Sequence, residues 1–290
     1  MDLRSYQLAA LKTLQPAPEG ADPRILPLLG LVGDAGGVAA LYKKVLRDGP
    51  AYQGSKAKVR EELGDVLWYV AAVADQFGLD LEDIAAANLG KINDRWKPSA
   101  AGRPLPDDGF PEHEQLPRSG EIALELEVDA SGRTRAKISF NGESFGDELT
   151  DASHIEDGYA LHDVFHLAYA AVLGWSPVTR MLLKRKRKSV PRIDEAEDGG
   201  RAIAIEEGIS ALVFSYASEH DYLEGLEHVD HQLLRTIQAM VAHLEVSTRR
   251  AADWEQAILI GFSAWRTVRA GRGGIVEFDL EARTLRARPA

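Results

Sequence analysis

The 290-residue chain contains no cysteine. That absence excludes disulfides, thiol nucleophiles, iron–sulfur clusters and cysteine-ligated zinc together. Positive charge is in deficit, with 34 Lys and Arg against 45 Asp and Glu for a net −11. Broad electrostatic binding to nucleic acid or to an anionic membrane is therefore not expected. Any phosphate-bearing ligand must be held by a local basic cluster or by metal ions. No run approaches the ~18 apolar residues of a membrane span, and the opening MDLRSYQLAALKTLQ does not read as a signal peptide. What is present, 45% apolar and 27% charged residues, is the composition of a soluble globular protein, expected in the cytoplasm. The length allows one large domain or two ordinary ones.

Pro98, Pro104, Pro106, Pro111 and Pro117 are five of the chain's 13 prolines. Proline removes backbone donors and blocks helix continuation, so 98–119 reads as an extended connector between a domain at 1–97 and another at 120–290. Before it the pattern is helical. A first helix is expected over about 5–14, and a second over 25–46, stopped by Asp48-Gly49-Pro50. A third carries Val59, Leu63, Val66, Leu67, Val70, Val73 and Phe77 at helical spacing, with Gly78 as its C-cap. A fourth, capped by Asp80, runs to Trp96. Four amphipathic helices with short joints make a four-helix bundle. After the connector Ile122, Leu124, Leu126 and Val128 alternate with polar residues, as do Ala136, Ile138 and Phe140, so a hairpin is expected. Helices follow at about 158–174, 177–188, 201–219, 226–248 and 251–270, then a hairpin of 275–280 with 284–288. The fold class is thus mainly α: an N-terminal four-helix bundle and a larger, mostly helical α+β domain with short hairpins.

Glu61, Glu62 and Asp65 lie in EELGDVLWY. Glu62 and Asp65, three residues apart, share one helical face beside the apolar stripe. Carboxylates there are costly unless paired or holding a cation, and oxygen ligands on facing helices suit Mg²⁺. A solvated acidic edge, ion-paired for example with Lys58, is the plainer alternative. Gly30, Gly33 and Gly37 share a face of the second helix. Each glycine costs a helix roughly 1 kcal/mol against alanine, so either a neighbour approaches closely or a ligand needs the room. Asn88, Lys91 and Arg95 form one stripe of the fourth helix, where a Lys and an Arg one turn apart can neutralise a polyphosphate or simply complement the helix C-terminus. Trp68 and Trp96 are core residues or base-stacking surfaces.

The pieces LLGLVGDAGG, YKKVLRDG and EELGDVLWYVAAVADQFGLDLEDIAAANLGKINDRW, in this order and spacing, resemble the MazG-type all-α nucleoside triphosphate pyrophosphohydrolases over residues 28–96. The resemblance implies hydrolysis of a nucleoside triphosphate to monophosphate and pyrophosphate, with Mg²⁺ or Mn²⁺ held by carboxylates and activating water. It assigns Asp34, Glu62 and Asp65 to the metal, with Glu61 as a further ligand or water-orienting group, and Asn88, Lys91 and Arg95 to the substrate. It also implies a homodimer or homotetramer. One departure stands out: where the family carries an acidic trio on the preceding helix, this chain has Gly33, Asp34 and Gly37.

In the second domain His162 and His166 lie one helical turn apart, a spacing that suits a two-histidine metal grip. Asp163 is adjacent, and Glu206 and Glu207 open another helical stretch, so a second, transition-metal site is an alternative centre of chemistry. The plainer alternative has His162 capping or packing and His166 hydrogen-bonding within a helix pair. The basic run at 184–188 is expected to pair with the acidic run Asp194, Glu195, Glu197 and Asp198, or to touch a phosphate. Three functions follow: a Mg²⁺-dependent pyrophosphohydrolase acting on a nucleotide, a nucleotide-binding regulator whose first acidic motif is degraded, or a metal-dependent phosphohydrolase working through His162 and His166.

Overall fold

Helical periodicity governs the first third of the chain, and the computed structural model, which describes residues 1–52, 56–99, 102–144 and 146–289, bears this out. The chain divides into two units, Met1–Ile92 and Asn93–Ala290. The first contains α1 (Leu3–Leu11), α2 (Ile25–Asp48), α3 (Lys56–Gln76) and most of α4 (Leu81–Trp96). Asp2 caps α1 by accepting from the Ser5 N–H at 2.7 Å, which satisfies one of the orphan donors of the first turn. The buried Gln7 side chain donates to the Leu79 carbonyl at 3.0 Å and accepts from the Leu81 N–H at 2.9 Å. It thereby fastens α1 to the start of α4. α3 packs along α2 and against α1, and Leu81 at the start of α4 joins Ala71 and Ala74 of α3 in one cluster. Among the described residues α4 makes no extensive contact along α2 or α3.

The core of this unit is small: Ala10, Ala71, Ala74 and Leu81, with Leu3, Tyr6, Trp68 and Val70 packed on it. Much apolar surface stays uncovered, including Leu29, Val32 (72% exposed), Leu46, Leu63 and Leu89. By length and composition Ile25–Ala51 is apolar enough to cross a membrane, contrary to the expectation from the sequence; Asp34 is the one charged residue in 25–42.

In the second unit β1 (Ser119–Val128), β2 (Thr134–Phe140), β3 (Glu143–Ser144), β4 (Gly273–Asp279) and β5 (Thr284–Arg288) form one sheet in the order β3-β2-β1-β4-β5. All its pairings are antiparallel. The two expected hairpins are thus one sheet, joined by β1 and β4, with Ile122 opposite Val276 and Leu124 opposite Ile138. Alternation puts Ile122, Leu124, Ile138, Val276 and Phe278 on the buried face. Against it pack α5 (Asp163–Leu173) and α10 (Ala251–Ala270), the latter with the bounds the sequence predicts. α6 (Pro177–Leu182), α7 (Pro191–Ala196), α8 (Gly200–Ser218) and α9 (His231–Met240) complete the unit. Trp175, Trp254 and Trp265 are fully buried in its core.

Three expectations need correction. The helix expected over 177–188 ends at Leu182, and Lys184 takes a left-handed φ of 56°. The helix expected over 226–248 is confined to α9. The proline-rich stretch is not an extended connector: its described part belongs to the second unit and is anchored by buried charge. Asp107, 1% exposed, accepts from the Leu116 N–H at 2.8 Å and pairs with Arg180 at 2.7 Å and Arg118 at 2.8 Å. Glu114 is also buried and accepts from the Ser189 N–H at 2.8 Å. Arg187, from the basic run, is buried between Asp198 and Glu245, each at 2.7 Å. The run therefore does pair with its acidic neighbour, at Arg187.

Burial pushes the Asp107 carboxyl upward, but Arg180, the Leu116 N–H and Arg118 outweigh it and hold the group below the ordinary carboxylate range. A group depressed in the fold contributes stability that is present above its unfolded pKa and lost as pH falls through the folded one. The second unit is expected to lose urea resistance from about pH 4 downward. Asp107→Asn, which removes the nearer of the two carboxylates beside the buried Arg180 and leaves Asp198 at 3.7 Å, should cost about 3 kcal/mol at neutral pH and shallow that acid dependence. Urea midpoints across pH for both proteins check this, and equal slopes would contradict it.

Candidate functional site

Two glycines set how α2 and α3 meet. A Cβ on Gly30 would run into the Tyr69 ring, and one on Gly37 into the Glu62 carboxylate. Both pairs belong to one antiparallel register, and in that register Asp34 stands level with Asp65. The Glu62 carboxylate thus occupies the space that a side chain at 37 would need. Gly33 differs, because a Cβ there would meet open space. Asp34 and Glu62 are half-buried, while Glu61 and Asp65 are exposed. Among the described residues the ligand oxygens of Asp34, Glu62 and Asp65 do not form a compact metal-ligand cluster, whereas one ligand atom from each of His162, His166 and Glu207 lies within 4.8 Å of the others.

A cavity of about 630 Å³ adjoins the same helix pair, lined by Leu26, Gly30, Trp68 and Tyr69 among others. Tyr69 lies seven residues from Glu62, about 10 Å along α3. Trp68 is fixed there by donating its indole N–H to the Thr13 hydroxyl at 2.9 Å. Asn88 and Lys91 are exposed on α4. Arg95 is not available beside them. It lies in the second unit, 6% exposed, paired with Glu255 at 2.8 Å, donating to the Val229 carbonyl at 2.9 Å and stacked over Trp96. A helical stripe predicts that positions 88, 91 and 95 share a face; it carries no information that a carboxylate distant in sequence captures the last of them.

The second cluster is built from α5 and α8. His166 is 1% exposed, and its Nδ1 lies 2.8 Å from Glu206 Oε1. Glu206 is fully buried and also accepts from the Ser176 hydroxyl at 2.6 Å and the Val178 N–H at 2.8 Å. His162 Nδ1 lies 2.8 Å from the Tyr159 carbonyl, and its ring stacks on Tyr159 with centroids 4.5 Å apart. A carbonyl only accepts, so His162 Nδ1 carries the proton and leaves Nε2 as the free nitrogen. Both Nε2 atoms face Glu207, at 3.6 Å from His162 and 3.5 Å from His166.

Burial disfavours a proton on His166, but Glu206 and Glu207 more than compensate and push it up to about 10. Burial raises Asp163 above its ordinary range, although His166 and His162 pull the other way. Tyr159 is pushed up to about 12 by burial and by Glu207. The i, i+4 histidine spacing and the Glu206-Glu207 pair were visible in the sequence, and the structure brings all four together. Tyr159, Ser176 and Val178, which orient them, carried no sequence signal beyond their proximity to helix starts.

Residues 102–290 match the family model of the MazG C-terminal domain, and residues 38–99 match that of the MazG nucleotide pyrophosphohydrolase domain. The Gene 37 protein of Mycobacterium phage L5 is 39% identical over 101 residues, which is 33% of this chain and 89% of the phage protein. No solved structure matches the chain.

Arg95 should behave as a structural residue of the second unit. Arg95→Met leaves Glu255 buried with its main cationic partner gone, and the expected loss is about 3 kcal/mol of unfolding free energy. Nucleotide affinity of the folded variant should change less than twofold. Denaturant titration and calorimetric binding check the two halves. An unchanged stability with a tenfold loss of affinity would return Arg95 to the phosphates.

Proposed function

Because the chain belongs to the MazG family, with the pyrophosphohydrolase domain preceding the MazG C-terminal domain, we propose that its first unit hydrolyses a nucleoside triphosphate to the monophosphate and pyrophosphate with Mg²⁺. The observation that carries this reading is the α2–α3 register, which puts Asp34 level with Asp65 and turns Glu62 into the gap at Gly37. An all-oxygen donor set of this kind fits Mg²⁺ or Mn²⁺. Asp34, Glu62 and Asp65 are the residues that hold the ion, drawn together around it. When bound, the ion neutralises phosphate oxygens and lowers the pKa of a water.

The protein's own groups then have distinct tasks. Glu62 is confined by the close backbone of α2, so its carboxylate keeps its direction. Glu61, exposed one residue away, orients water. Lys91 neutralises the polyphosphate and Asn88 donates to it. The cavity beside Trp68 and Tyr69 takes the base, with the indole available for stacking. Its distance of about 10 Å from Glu62 along α3 suits a nucleoside whose phosphates reach the carboxylates.

The first unit is also proposed to work as a homodimer or homotetramer. Its buried cluster among the described residues, Ala10, Ala71, Ala74 and Leu81, is small for a unit of some ninety residues. Leu29, Val32 and Leu63 are left uncovered, and a second copy supplies apolar helices to cover them. Sedimentation should show an oligomer for the wild type, shifted toward monomer by Val32→Glu. A wild-type monomer would contradict the assembly.

Incubation with Mg²⁺ and a panel of ribo- and deoxyribonucleoside triphosphates, with products separated chromatographically, tests the reaction. Monophosphate and pyrophosphate are expected, with Glu62→Gln at least about 100-fold slower. Gly37→Ala should gain up to about 1 kcal/mol of helix stability yet lose turnover, because its methyl group displaces Glu62. Gly33→Ala, facing open space, should gain the same stability and keep its activity. Nucleotide binding without turnover would instead identify a regulator.

A further inference from the structure

The histidine–glutamate cluster of the second unit is not used by the reaction proposed for the first. We propose that His162 Nε2, His166 Nε2 and the Glu207 carboxylate form a binding site for a zinc-class divalent transition metal, with a fourth position open to solvent. One ligand atom from each of the three residues lies within 4.8 Å of the others. Glu207 Oε1 lies 3.5 Å from His166 Nε2 and Glu207 Oε2 lies 3.6 Å from His162 Nε2, so both histidines face the same carboxylate, and its rotation turns one oxygen toward an ion held by both nitrogens.

A second observation points into the same spot. The His166 side chain is 1% exposed, and although Glu207 Oε1 stands 3.5 Å from its Nε2, no hydrogen bond of good geometry forms there among the described residues. A buried polar atom left in this state is expensive unless something binds it. The opposite nitrogen is firmly held, by a Glu206 carboxylate that is itself fixed by Ser176 and Val178. His162 repeats the pattern with the Tyr159 carbonyl. A metal-binding histidine characteristically donates its other ring N–H to a carboxylate or a backbone carbonyl, and one of each is found here.

The donor set selects the ion. Two imidazole nitrogens favour zinc, iron, cobalt, nickel or copper over magnesium and calcium, which prefer oxygen throughout. Two histidines and one carboxylate leave a tetrahedral ion one position short, as in sites that bind a water or an oxyanion rather than closed structural ones. The Glu207 side chain, 40% exposed, is on the solvent side of the buried His166, so the open position is reachable.

Co²⁺ titration of the chelator-stripped full chain tests the site, because tetrahedral nitrogen–oxygen coordination gives visible absorption bands far stronger than six-oxygen coordination does. The wild type should show these bands, saturating at one ion per chain and displaced by Zn²⁺. Glu62→Gln should retain them unchanged. His162→Ala and Glu207→Gln, both at partly exposed positions and so tolerated by the fold, should each lower Co²⁺ affinity at least about tenfold, with unchanged circular dichroism confirming the fold. Absence of the bands in the wild type, or their persistence at full affinity in both variants, overturns the proposal and leaves a buried histidine clamped between two glutamates.

Discussion

The close approach of α2 to α3 is the constraint on which the candidate active site depends. At Gly30 and Gly37 the partner side chains Tyr69 and Glu62 occupy the volume where a Cβ would stand. Two such points fix an antiparallel pair against both sliding and rotation. With the register fixed, Asp34 faces the level of Asp65, and Glu62 is turned toward α2. The glycines that make α2 a poor helix on propensity are the same ones that let its partner's carboxylate lean across. Gly37 therefore stands where the family's pattern has an acidic residue and admits one from the neighbouring helix.

The second unit is organised differently, around buried guanidinium–carboxylate pairs and a sheet assembled from both its ends. Arg180 joins the proline-rich stretch through Asp107, and Arg187 joins α9's following turn through Glu245. Asp253 at the start of α10 accepts from Ser99 and pairs with Arg283 at 2.7 Å. Each of these charges is costly to bury alone and acceptable only when matched, so the pairs specify which segments must meet. Burial of Glu206 follows the same logic: three donors, from His166, Ser176 and Val178, leave neither of its oxygens unpaired and bring α5, α6 and α8 to one point.

Local signals were legible in the sequence and distant pairings were not. Periodicity and caps located α2, α3, α4 and α10 closely, because a helix is a local object whose apolar stripe is written every three or four residues. Alternation found β1, β2 and β4, but the joining of β1 to β4 across roughly 150 residues leaves no local trace. Proline content marked 98–117 as irregular, which it is; that the segment is anchored depends on Asp107 and Glu114 finding partners far along the chain. Arg95 illustrates the same gap, since its capture by Glu255 is invisible to helical spacing. His162 and His166 were found because their relation is a single turn of one helix, and Glu207 because it forms an adjacent acidic pair with Glu206 in the helical stretch RAIAIEEGISALVF.

The most direct measurement is a crystal structure of the full chain with Mg²⁺ and a nucleoside triphosphate carrying a methylene bridge between the α and β phosphorus atoms. The account predicts an ion held by Asp34, Glu62 and Asp65, phosphates reached by Lys91, and a base in the cavity beside Trp68. Phosphates bound away from these carboxylates, with no ion beside Asp34, Glu62 and Asp65, would contradict it.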